Sequence, residues 1–67
     1  MTIMVNGKAM DVREGLSVDA LLAQLGVPRM FTAVALNRDV MPKSTYASTQ
    51  LADGDRVEIV RPMGGGA

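Results

Sequence analysis

Apolar and polar positions alternate from Thr2 to Asn6, with Ile3 and Val5 on one face and Thr2 and Met4 on the other. A period of two marks a half-buried strand. Asn6-Gly7 follows, and both residues tolerate the positive φ that a type I′ turn demands. From Lys8 to Val12 the chain alternates again, setting Ala9 apart from Met10 and Val12. The pattern predicts an opening β-hairpin. After a break at Glu14-Gly15 the period changes. Val18, Leu21, Leu22 and Leu25 fall at helical spacing, one apolar stripe of a helix of about nine residues. Ser17 is a good N-cap, Asp19 suits the positive end of the helix dipole, Gly26 fits the left-handed position past the end, and Pro28 blocks continuation. So short a helix does not persist alone and must pack on a sheet.

Ala33 to Leu36 is an uninterrupted apolar run, which reads as a strand covered on both faces or nearly so. Asn37-Arg38-Asp39 turns the chain, and Val40-Met41 is expected as a brief returning strand ended by Pro42. Lys43 to Gln50 reads as irregular loop or a helical turn, anchored by Tyr46 and Leu51. Ala52-Asp53-Gly54-Asp55 is another turn, and Arg56 to Val60 alternates with Val57 and Ile59 inward. One helix across one face of a small mixed β-sheet is the economical way to bury a single apolar stripe. Residues 1–60 are therefore expected to form one α+β domain, and residues 61–67 a flexible glycine-rich tail.

Composition narrows the chemistry. The 67 residues are 48% hydrophobic, yet only Phe31 and Tyr46 are aromatic, so aliphatic residues must fill the core. There is no cysteine, which removes disulfides, thiolate zinc sites and a cysteine nucleophile. There is no histidine either, the commonest general base and metal ligand. Seven basic and seven acidic residues balance, which speaks against a nucleic-acid binder with its basic face. The longest apolar stretch falls far short of the ~20 residues that span a bilayer, and the N-terminus lacks a secretion signal. The expected address is the cytoplasm, with no membrane partner, no metal and no bound cofactor.

The sequence ends Arg61-Pro62-Met63-Gly64-Gly65-Gly66-Ala67. Three successive glycines at a given place have a chance expectation of roughly 3 in 10,000 from average usage. A plain flexible extension is one reading. The other has a physical reason: without Cβ atoms, Gly64, Gly65 and Gly66 can thread a partner's narrow channel and approach its backbone closely. Arg61 to Gly66, extended, reaches about 20 Å, far enough to deliver a carboxylate into another protein's active site. An ATP-dependent partner can convert such a carboxylate to an acyl-adenylate. Sulfide from a donor then displaces AMP and leaves a thiocarboxylate. A carrier used this way needs neither Cys nor His of its own.

The stretch LNRDVMPKSTYASTQLADGDRVEIVRPMGGG resembles the ThiS family, the sulfur carriers of thiamine biosynthesis. The matching residues are Leu36-Asn37, Val40 and Pro42, Leu51 through Asp55, Val57-Glu58-Ile59, and Gly65-Gly66. The hairpin and the Leu-rich helix after Ser17 also fit, so the resemblance covers essentially the whole chain. It implies a ubiquitin-like β-grasp fold, adenylation of Gly66 by a ThiF-like enzyme that uses ATP, a thiocarboxylate made with a sulfur donor system, and delivery of sulfur to thiazole synthase. The chain would then be a protein co-substrate and not an enzyme.

Ala67 departs from the family pattern, in which the chain stops at the second glycine. Either a peptidase removes Ala67, or it is an added residue, or this member is no carrier. Untrimmed chain is expected not to be adenylated. Pro62 stiffens the tail's exit by fixing φ, and Met63 is a candidate for the mouth of the partner's channel. Arg61 and Arg56 are candidates for pairing with acids on the adenylating enzyme, although solvated charges are the commoner case. Asp53 and Asp55, around a glycine, read as a turn and not as cation ligands. Tyr46, Ser44 and Ser48 have no base to activate them and read as loop packing. Most of the six methionines read as core filling. Rival readings are the small subunit of molybdopterin synthase, a carrier feeding cysteine, methionine or siderophore synthesis, and a non-carrier β-grasp binding module.

Overall fold

Asn6 and Gly7 take φ values of 50° and 84°, closing a two-residue turn between strands β1 (Thr2–Val5) and β2 (Lys8–Asp11). The strands pair antiparallel from Val5↔Lys8 to Thr2↔Asp11, as the Asn-Gly signal predicts. The computed structural model describes residues 1–28, 30 and 32–60. Among these, the sheet is completed by β3 (Ala33–Leu36), β4 (Asp39–Val40) and β5 (Arg56–Val60), in the order β2-β1-β5-β3-β4. β1 and β5 run parallel in the middle, and the other neighbours are antiparallel. The mixed sheet of the sequence reading is thus present.

Helix α1 (Val18–Leu25) supplies the second layer. Its Val18, Leu21 and Leu22 join Ile3, Val34 and Val57 from the strands in one buried cluster. Ser17 caps the helix, its Oγ accepting from Ala20 N at 3.0 Å, and Gly26 ends it at φ 70°. The other free amides of the first turn are taken by the loop after β4. Val18 N donates to Thr49 O at 3.0 Å, and Asp19 N to Tyr46 O at 3.1 Å. That loop begins with a 3-10 turn at Lys43–Thr45 and returns through Leu51 N, which donates to Leu16 O at 2.8 Å. The segment read as irregular loop or a helical turn therefore contains such a turn and forms the lid on the N-terminus of α1. Tyr46 and Leu51 anchor it, with Tyr46 fully buried.

Two expectations change. β3 is covered on one face only: Val34 is buried, while Ala33 is exposed and Ala35 half-exposed on the other side. One helix can cover only one face of a sheet, and the alanines on the open side conceal this in the hydropathy pattern. The methionines also divide. Met1, Met10 and Met41 pack against the core, whereas Met30 is exposed.

Candidate functional site: the exit of the central strand

β5 is held on one side by β3 and on the other by β1 and Asn6, the latter side as far as Ile59. β3 pairs with it from Leu36↔Val57 to Ala33↔Val60. On the other side β1 reaches only Met4↔Arg56 and Val5↔Val57, after which the chain turns away. Asn6 continues the ladder there. Its N–H donates to Val57 O at 2.9 Å, its Oδ1 accepts from Ile59 N at 2.7 Å and its Nδ2 donates to Ile59 O at 3.3 Å. A carboxamide offers an acceptor and donors side by side, so it can replace a strand's edge.

Asn37 secures the other end. Its N–H donates to Arg56 O at 2.7 Å and its Oδ1 accepts from Arg56 N at 2.9 Å. Its Nδ2 donates to Asp55 Oδ1 at 3.1 Å. Both asparagines sit at φ 50°, in hairpin turns, a conformation this residue tolerates better than most. The Asp53-Gly54-Asp55 turn completes the frame. Asp53 Oδ1 accepts from Thr2 N at 2.8 Å and Asp55 Oδ2 from Ala52 N at 2.7 Å, as expected of turn residues.

Val60, the last residue of β5, is 61% exposed. The registers place Met4, Ala33, Ala35, Val40, Arg56, Glu58 and Val60 on the sheet face opposite α1. Along β5 this open face runs from charged at Arg56 to apolar at Val60, where Ala33 lies alongside. Beside Val60 opens a mainly apolar groove of about 440 Å³, whose lining includes Met30, Thr32, Met41 and Tyr46. Lys43, also on its rim, donates from Nζ to Met30 O. Among the described residues, this corner holds the end of β5 in the sheet and offers an apolar surface next to Val60.

The residues on which the sequence reading centred, Arg61, Pro62, Met63, Gly64, Gly65 and Gly66, lie outside the described residues, as does the rest of the 61–67 tail. Arg56 is exposed, as a docking residue must be. The reading missed the two asparagine clamps, although Asn at a hairpin turn was the available signal. It also missed the open face, because Met30, Val40 and Val60 look like core residues in sequence.

A five-stranded mixed sheet in this order, with one helix across one face and a glycine run after the central strand, defines a ubiquitin-like β-grasp protein. Residues 3–66 match the ThiS family, and the chain belongs to that family, the ThiS-type sulfur carriers. The crystal structure of the thiamine biosynthesis protein ThiS from Geobacter metallireducens superposes with a TM-score of 0.85 at 38% identity, covering 97% of this chain and 99% of that one. The sulfur carrier protein ThiS of Escherichia coli strain K12 is 32% identical over 66 residues, 98% of this chain and 100% of its own length. A thiazole synthase of Paramagnetospirillum magneticum is 40% identical over 67 residues, the whole of this chain. This chain spans only 21% of that synthase.

Proposed function

We propose that this chain carries sulfur for thiamine biosynthesis as a thiocarboxylate at Gly66. A ThiF-like enzyme transfers AMP from ATP to the Gly66 carboxylate, releasing pyrophosphate. Sulfide from a donor system attacks the acyl carbon, AMP leaves, and the thiocarboxylate forms. Thiazole synthase is the acceptor. The chain acts as a protein co-substrate in the cytoplasm and binds no cofactor itself, ATP being held by the partner. Whatever follows Gly66, Ala67 included, must be removed first, because the carboxylate has to belong to that residue.

The observation that carries this reading is the position of the glycine run. It starts four residues after Val60, the end of the central strand; there Asn6 clamps Ile59, β3 pairs with Val60, and Val60 borders an apolar part of the open face. A rigid root and a glycine end without side chains are what delivery into a foreign pocket requires. The family match through residue 66 and the alignment of the whole chain with a thiazole synthase support the same reading. The test is intact-mass analysis of a chain ending at Gly66 after incubation with the adenylating enzyme, ATP and sulfide. The mass should rise by the difference between sulfur and oxygen. An unchanged mass with an enzyme active on another carrier would refute the reading.

A further inference from the structure

β1 cannot follow β5 to its end. Their parallel pairing stops at Val5↔Val57, because the chain then turns through Asn6-Gly7 into the first hairpin. Alternate residues of a strand present their N–H and C=O to the same edge. Val57 O meets Asn6 N on the β1 edge, so the next residue presented there is Ile59. No backbone of β1 is left to meet it. The Asn6 carboxamide takes that place, accepting from Ile59 N at 2.7 Å and donating to Ile59 O at 3.3 Å.

The turn by itself does not call for this side chain, since glycine serves equally well at a position with positive φ. The two bonds to Ile59 are additional. They fall at a particular place in the chain. Ile59 still packs against the core, whereas Val60 after it is exposed and the glycine run begins at Gly64. On the opposite edge β3 holds the same stretch through Val34↔Ile59 and Ala33↔Val60. Asn6 therefore decides whether the end of β5 is held on two edges or on one.

We propose that Asn6 is a positioning residue for adenylation of the chain's end: by bracketing Ile59 it fixes where and in which direction the chain leaves β5. The inference rests on the sulfur-carrier reading and adds to it a residue that acts through Ile59 without touching the reacting atoms. A partner that grips both the folded body and the glycine end must immobilise whatever freedom lies between them. A strand end held on one edge has more freedom to lose, and that loss is charged against binding. Once the end is seated, the chemistry is the same. The clamp should therefore act on KM and leave kcat alone.

The test is steady-state adenylation by the ThiF-like enzyme of chains ending at Gly66: wild type, Asn6→Gly, Asn6→Asp and Ser17→Ala, each shown to be folded at the assay temperature. Asn6→Gly is expected to raise KM about 3- to 10-fold with kcat within about twofold of wild type. Asn6→Asp keeps an acceptor for Ile59 N–H and loses the donor, so its KM should lie between the two; it also serves as the comparison if the glycine variant is too unstable to assay. Ser17→Ala weakens the fold at the cap of α1, far along the chain from Ile59, and should keep the wild-type KM. Amide exchange at Ile59 in the free chains should quicken in the same order as KM rises. Wild-type KM in both Asn6 variants, an equal rise in Ser17→Ala, or a rise in KM without faster exchange at Ile59 overturns the positioning role and leaves the carrier reading standing. Failure of the wild-type chain to be adenylated at all overturns both.

Discussion

The carboxamide of Asn6 brackets the peptide group of Ile59, accepting from its N–H at 2.7 Å and donating to its C=O at 3.3 Å. The two residues are 53 positions apart, and the contact joins the tip of the first hairpin to the penultimate residue of the central strand. One side chain thereby holds the root of the glycine tail. Asn6→Gly preserves the turn, because glycine accepts the positive φ, but removes both side-chain bonds. The expected loss is about 1–2 kcal/mol of stability, with faster amide exchange at Ile59 and Val60. Unchanged protection of Ile59 would show that β3 alone holds the strand.

The cap on α1 has a separable contribution. Ser17→Ala removes the acceptor for Ala20 N, while the backbone carbonyls of Tyr46 and Thr49 still serve Asp19 and Val18. A loss of about 1 kcal/mol in urea unfolding is expected. A loss several times larger would mean that the lid loop comes away with the cap.

Tyr46 is fully buried, and its hydroxyl has no hydrogen-bond partner among the described residues. The ring fills space and the hydroxyl is left unsatisfied. Tyr46→Phe should therefore stabilise by about 1 kcal/mol, whereas Tyr46→Ala should cost about 3–5 kcal/mol through the cavity it opens. Destabilisation by Tyr46→Phe would point to an unrecognised partner for the hydroxyl.

Val60 tests the open face. Its exposure means that Val60→Asp should leave stability within about 0.5 kcal/mol of the wild type. Next to the tail root, however, the new charge should lower kcat/KM for adenylation by roughly tenfold, as truncation of a central interface residue does. Equal kcat/KM would remove the open face from the partner interface.

Much of the fold was legible in the sequence because local signals agreed with the global arrangement. Asn6-Gly7, Ser17, Gly26 and the Asp53-Gly54-Asp55 turn each have a short-range chemistry that decides the backbone, and each holds. What could not be read depends on contacts across the chain. The apolar run at Ala33–Leu36 carries no sign that one of its faces is open, since alanine serves on either side. The loop from Lys43 to Gln50 has no periodicity, and its role as a lid emerges only from carbonyls meeting the amides of α1. The asparagine clamps reach across 53 and 19 positions, beyond any local pattern. The expectation for the site rests on composition and on the glycine run from Gly64 to Gly66, which lies outside the described residues.

The central claim is that Gly66 is the activated end. It is tested most directly by ATP–pyrophosphate exchange on the ThiF-like enzyme with chains ending at Gly66, at Ala67 and at Gly64, each first shown to be folded. Exchange should depend on the chain ending at Gly66 and be absent with the other two. Equal exchange with the chain that stops at Gly64 would contradict the account.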